Sequence, residues 1–340
     1  MNKSSNRSII IWLLIVCIMV FTMVMIGGIT RLTDSGLSMV DWKPIMGAIP
    51  PITETEWLKA FSDYKNYPEY QKINSDMTLS EFKSIFFWEY FHRLFGRLIG
   101  MAFFFPYLYF LIRKRLDKKL NRKLIIAFIL GGMQGLMGWY MVKSGLVDRP
   151  DVSHFRLAAH LGLAFLIIGY IFWILFPLAK KEIELDSHPK VYKSLKIFLV
   201  LIGLQIIYGA FVAGLDAGLA YNTFPKMGSK WIADSAFVGT NFFNIIFENN
   251  SMIQFIHRTL GWIVFIYSVG LLLVSKNITN GVQKKSLIYV FVMVFIQFLL
   301  GISTLIMLVP ISLAVAHQLG ACLLLILTLN AVYNFLPKKK

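Results

Sequence analysis

From Ser286 to Pro337 the chain runs 52 residues without an Asp, Glu, Lys or Arg. A helix of about 20 apolar residues crosses the hydrocarbon core of a bilayer, so this stretch is too long for one crossing and long enough for two. Val309-Pro310 near its middle is the natural turn, because proline does not continue a helix begun before it. The pattern recurs upstream: uncharged or nearly uncharged runs fall at about 9–29, 86–112, 124–142, 157–179, 197–215 and 253–275, with 286–308 and 311–336 completing eight. At 57% hydrophobic and 15% charged residues, the 340-residue chain cannot present a water-facing surface on all sides. The expected fold is an all-α polytopic membrane protein. The first run is long and no small-residue cleavage pattern follows it, so a signal peptide is not expected.

Charge sets the orientation. Eight crossings put both termini on one side, together with segments 113–123, 180–196 and 276–285; that side carries 20 of the 34 Lys and Arg and 4 of the 18 Asp and Glu. The remainder of the chain is balanced, so the whole net charge of +16 belongs to one face. By the positive-inside rule that face is cytoplasmic. The basic balance therefore indicates anionic lipid as partner, and no nucleic acid is expected. Cys17 and Cys322 both lie inside apolar runs, which leaves neither a disulfide framework nor a thiolate metal site.

The other side receives a long loop, 31–85, and a medium one, about 216–252. Thr53-Glu54-Thr55-Glu56 and Thr78-Leu79-Ser80-Glu81 both fit capping boxes. The first is expected to open a short surface helix, the second to start the second long helix above the membrane.

The two halves repeat. Thr33-Asp34-Ser35-Gly36-Leu37 is echoed by Leu215-Asp216-Ala217-Gly218-Leu219, and Pro44-Ile45-Met46-Gly47 by Pro225-Lys226-Met227-Gly228. Phe91-His92-Arg93-Leu94-Phe95-Gly96 matches Ile256-His257-Arg258-Thr259-Leu260-Gly261, Gln134 matches Gln297, and Ala159-His160-Leu161-Gly162 pairs with Ala316-His317-Gln318-Leu319-Gly320. Each half holds four spans, an even number, so both insert the same way. Two tandem four-helix bundles follow, 1–185 and 186–340, related by a pseudo-twofold axis along the membrane normal.

Four histidines sit at one depth. His92, His160, His257 and His317 lie 21, 20, 19 and 21 residues before the next cytoplasmic basic residue, or roughly 30 Å at about 1.5 Å per residue. That places them near the external boundary, two per repeat, each on a separate helix. Ionisable groups in a membrane are costly and usually functional. Two imidazoles without a recurring carboxylate suit zinc poorly; bis-imidazole ligation of haem in an apolar slot between helices suits them well. Gly96, Gly100, Gly135, Gly138 and Gly162, with Gly209, Gly261, Gly301 and Gly320, allow close helix approach or room for a flat macrocycle. Arg93 and Arg258, each beside a histidine, are candidates for haem propionates. Glu89, three residues before His92, has Gln254 as its counterpart, so one bundle has a titratable group beside its metal centre and the other has none. This asymmetry suggests one chemical site and one electron-transfer site. Asp34 and Asp216 precede glycine and read as turn residues; His154 and His188 lack repetition and receive no role.

Glu89-Tyr90-Phe91-His92-Arg93, His160, Gln254-Phe255-Ile256-His257-Arg258 and His317 on eight duplicated spans resemble the haem A synthase family, as does Gly27-Gly28-Ile29-Thr30-Arg31-Leu32-Thr33-Asp34-Ser35-Gly36-Leu37-Ser38. The likeness runs from about residue 9 to 335. External-loop cysteine pairs are missing, as in the proteobacterial and mitochondrial branch. The resemblance implies oxidation of the C8 methyl of haem O to the formyl group of haem A, for cytochrome oxidase, with water as oxygen source. It also implies haem b on His257 and His317 in the C-terminal half, substrate haem on His92 and His160 in the N-terminal half, and Glu89 as catalytic carboxylate. The expected setting is the cell inner membrane, with haem O synthase (the farnesyltransferase) as a candidate partner. The main alternative is a non-catalytic dihaem transmembrane electron carrier. It would need haems stacked at both faces, whereas these ligands share one level.

Overall fold

The computed structural model describes residues 3–40, 49–145, 152–179 and 185–337. The Pro44–Gly47 member of the second repeat lies outside the described residues. Eleven α-helices are present among them: α1 (Lys3–Leu32), α2 (Glu54–Tyr64), α3 (Pro68–Lys72), α4 (Leu79–Ile112), α5 (Lys118–Gly145), α6 (His154–Ala179), α7 (Pro189–Gly214), α8 (Phe242–Glu248), α9 (Asn250–Ser275), α10 (Gly281–Ile306) and α11 (Ile311–Asn334). Eight of them, α1, α4–α7 and α9–α11, are long and apolar enough to cross a membrane. They take up the eight uncharged runs one for one.

Both capping boxes form. Thr53 accepts from the Glu56 amide while Glu56 reaches back to the Thr53 amide, opening α2. Thr78 and Glu81 do the same for α4. Each box satisfies backbone donors that a helix start otherwise leaves open. Pro310 caps α11 after the turn at Leu308-Val309.

Several helices stop without glycine. Asp34 adopts φ +47°, with the Ser35 amide on Thr30 O and the Asp34 amide on Arg31 O. Lys114 (φ +51°) ends α4 and Leu308 (φ +63°) ends α10 with the same pair of bonds. This is the Schellman arrangement, whose left-handed residue is usually glycine. The backbone bonds recovered at each helix end outweigh a left-handed penalty of about 1–2 kcal/mol.

Close packing divides the chain into two units, 1–167 and 168–340, with the division inside α6. In the first, α1 packs on α4 and α4 on α5. Above the spans, Phe61 and Tyr64 of α2 pack with Phe82 and Phe86 of α4 in an aromatic cap that Trp57 and Tyr70 complete. In the second unit, α7, α9, α10 and α11 enclose one core built on Leu195, Phe198, Val264, Leu287, Val294 and Leu324.

Candidate functional site

All four depth-matched histidines lie against a glycine of the preceding long helix. The position a Cβ would take on Gly27 of α1 is 3.6 Å from His92 Cε1, and on Gly138 of α5 it is 3.2 Å from His160 Cε1. The corresponding distances are 3.0 Å from Gly209 of α7 to His257 and 2.9 Å from Gly301 of α10 to His317. Spacings near 3 Å leave no room for a methyl group, so Gly138, Gly209 and Gly301 are recesses that admit the rings, whereas the 3.6 Å at Gly27 is ordinary contact. The pairing repeats four times: a glycine on one helix and a half-buried histidine on the next.

One turn before each of the three recesses stands a glutamine. Gln134 donates to His160 O at 3.1 Å and lies 3.2 Å from its Nε2. Gln297 donates to His317 O at 2.7 Å, and Gln205 Nε2 is 3.4 Å from His257 Nε2. Gln205 is a site residue that the repeated motifs do not include. The signal was present in the spacing, since Gln134/Gly138, Gln205/Gly209 and Gln297/Gly301 are each four residues apart, one helical turn. In α1 the corresponding residue is Met23, whose Cε faces Gly96.

The second unit holds the clearer pair. The His257 and His317 rings are 6.5 Å apart between centroids, with planes at 85°. Their Nδ1 atoms are buried without a hydrogen-bond partner, as is Oε1 of both Gln205 and Gln297. Metal–imidazole bonds of about 2 Å put two nitrogens sharing one ion about 4 Å apart and their ring centres about 6 Å apart. The residues therefore fit one haem iron held between two imidazoles. Among the described residues no three of His, Cys, Asp and Glu gather as a metal site. In the first unit His92 and His160 lie within electrostatic reach of each other.

A polar clamp sits one turn beyond His92. Glu89, 3% exposed, accepts from Ser38 Oγ at 2.7 Å and from the Met39 amide at 2.6 Å. Arg93 bonds its other oxygen and donates to Met39 O at 2.8 Å. Beyond His257, Gln254 is 2% exposed and donates to Ala217 O at 2.8 Å and Tyr221 O at 3.1 Å. Arg258 donates to Gln254 Oε1 and, at 2.6 Å, to Tyr221 O. The two clamps are built alike around opposite polarity. Both arginines, read from sequence as propionate candidates, use guanidinium donors to tie down the adjoining loop.

Asp34 and Asp216 occupy equivalent left-handed turns at φ +47° and +49°, as turn residues should, and Asp34 also pairs with Arg31 at 2.8 Å. His154 stacks on Phe155 and His188 lies by Phe335, outside both histidine groups.

Residues 10–329 match the family model COX15-CtaA, described as cytochrome oxidase assembly protein. The chain is 45% identical over 323 residues to a protein of Nitrosospira multiformis named heme A synthase, covering 94% of this chain and 91% of that one. It is 46% identical over 339 residues to one of the same name from Flavobacterium psychrophilum, covering 97% and 99%. A heme A synthase of Paramagnetospirillum magneticum is 45% identical over 339 residues, covering 98% and 95%.

Proposed function

Since this chain belongs to the COX15-CtaA family of cytochrome oxidase assembly proteins, we propose that it is a haem A synthase, which oxidises the C8 methyl of haem O to the formyl group of haem A. The observation that carries the reading is the unequal pair of clamps: two histidine sites of one design, of which one alone has a carboxylate beside it.

In this reading His257 and His317 hold a haem b. When bound, that haem supplies a one-electron relay between the substrate and an outside acceptor. His92 and His160 hold the substrate haem, and the Gly138 recess sets the height of the His160 ring. Conversion of a methyl to a formyl with water as oxygen source releases four protons and four electrons. Glu89, one helical turn from His92, is the group suited to receive those protons. Arg93 and the Met39 amide hold its carboxylate in one orientation, leaving proton transfer to the oxygen lone pairs they do not occupy.

The Lys and Arg distribution supports cytoplasmic termini in a cell inner membrane, with the histidines near the external face. Haem O synthase would deliver the substrate.

The test is an optical spectrum of the purified protein, then incubation with haem O and an electron acceptor, then pigment extraction. Two bis-imidazole haem signals with haem A among the products are expected. Protein that stays colourless after haem addition would reject the proposal. Two stable haems without haem A would favour the dihaem electron carrier.

A further inference from the structure

The turn after α1 carries a file of hydroxyls that the proposed chemistry leaves unused. Ser38 Oγ donates to Glu89 Oε2 and lies 3.0 Å from the carbonyl oxygen of Ser35. The Ser35 and Thr33 hydroxyls are 2.7 Å apart. Ser35 and Ser38 are 0% and 2% exposed. Thr33 lies on the wall of an open cavity of about 500 Å³, with Asn74, Asp76, Glu81 and Ser84. The hydroxyls thus lie between a buried carboxylate and a polar opening, with one break where Ser38 meets the Ser35 carbonyl oxygen and not its hydroxyl.

The second unit provides an internal control. Its turn has the same left-handed aspartate, and Arg258 grips Tyr221 O as Arg93 grips Met39 O. In that turn Leu215, Ala217 and Ala220 replace Thr33, Ser35 and Ser38, and Gln254 replaces Glu89. The backbone forms without the hydroxyls. Each hydroxyl also bonds a carbonyl oxygen of its own helix end or turn, Thr33 to Ile29 O, Ser35 to Thr33 O and Ser38 to Ser35 O, but all three occur only in the copy that has the acid.

We propose that Ser38, Ser35 and Thr33 form the proton exit from Glu89 to the cavity, an inference that rests on reading Glu89 as the proton acceptor. Protonated Glu89 gives its proton to Ser38 Oγ while the Ser38 hydroxyl proton moves on toward Ser35. Rotation of the Ser35 hydroxymethyl between Ser38 and Thr33 carries it across the one gap in the file, and Thr33 passes a proton to cavity water. One proton leaves for each that enters, each hydroxyl is regenerated, and no electron moves.

The experiment uses the full chain loaded with haem, as wild type, Ser35→Ala, Ser38→Ala, the double variant and Ser38→Thr. Ser35 makes no bond to Glu89, so its substitution separates transfer from orientation of the carboxylate. Ser35→Ala and the double variant are expected to keep the substrate-haem spectrum and to form haem A roughly tenfold more slowly. Their solvent deuterium isotope effect should rise above wild type, and Ser38→Thr, which keeps the hydroxyl, should recover rate relative to Ser38→Ala. Wild-type rate and isotope effect in the double variant would overturn the exit while leaving the haem A synthase reading intact. Loss of rate together with the substrate-haem spectrum in both serine-to-alanine variants would assign the hydroxyls to structure and equally overturn it. A wild-type protein that binds two haems and makes no haem A would overturn the functional reading, and the exit with it.

Discussion

Gln254 stands where Glu89 stands, one turn before a histidine, and donates to the carbonyl oxygens of Ala217 and Tyr221 where Glu89 accepts from Ser38 and the Met39 amide. The first loop therefore offers its acid a hydroxyl and one amide, and the second offers its amide side chain carbonyl oxygens. Each socket matches its own occupant and opposes the other.

Exchange of the two residues follows from that polarity. Glu89→Gln keeps an acceptor for Ser38 and removes the charge that Arg93, buried beside it, is paired with. Removing one partner of a buried pair costs about 3 kcal/mol. A lower melting temperature in detergent is expected, with haem A formation down about 100-fold and the histidine-bound haem spectra retained. Gln254→Glu points a carboxylate at three carbonyl oxygens, those of Ala217, Gly218 and Tyr221. It should lower the melting temperature without creating a second oxidising site. Full activity in Glu89→Gln with substrate normally bound would remove Glu89 from the chemistry.

The glycine recesses predict a steric effect confined to one haem. A side chain on Gly301 meets the His317 ring within 2.9 Å, and one on Gly209 meets His257 at 3.0 Å. Gly301→Val or Gly209→Val should drive the ring off its position and reduce the haem b content several-fold. The helical circular dichroism should stay unchanged, because valine suits a membrane helix. An undiminished haem-to-protein ratio in both variants would show that the recesses do not set the rings.

Separate histidine pairs predict separable losses. His257→Ala and His317→Ala should each abolish the resident haem spectrum. His92→Ala and His160→Ala should leave that spectrum in place and stop haem A formation. A single spectroscopic change common to all four variants would contradict two sites.

What could be read from sequence and what could not divides along physical lines. The spans, both capping boxes and the Val309-Pro310 turn depend on residues near in sequence, and their chemistry is written there. The repeat gave His92, His160, His257 and His317 and the Glu89/Gln254 asymmetry. Which side of Gly209 or Gly301 meets a ring depends on how two helices are rotated against each other, and no local pattern states that. Gln205 escaped notice because its role comes from that same rotation. Left-handed Lys114 and Leu308 were invisible because their φ values are imposed by the helix-end bonds, against side-chain preference. Arg93 and Arg258 are propionate candidates by sequence; that each also donates to a loop carbonyl oxygen depends on how the loop folds back, which no local pattern states.

The aromatic cap above the first unit makes a prediction about alkaline pH. Tyr64 is fully buried, donates to Glu69 Oε2 at 3.0 Å and accepts from Asn74 at 2.8 Å. Burial is the largest influence on its phenol and the Glu69 charge adds to it; both push ionisation above the ordinary value, against a smaller opposing effect of the Asn74 bond. A phenol whose folded pKa exceeds its unfolded one contributes stability that is fully present below about pH 10, the unfolded value, and is lost as the pH rises beyond it. The cap should hold up to about pH 10 and loosen above it, seen as late phenolate absorbance together with a rise in amide exchange in α2 and α3. Tyr64→Phe deletes a hydroxyl bonded to a buried carboxylate and should cost about 2 kcal/mol at neutral pH. That difference should shrink as the pH passes 10, because phenylalanine has no proton to lose. Equal titration of all tyrosines, or a Tyr64→Phe deficit independent of pH, would refute this account of the cap.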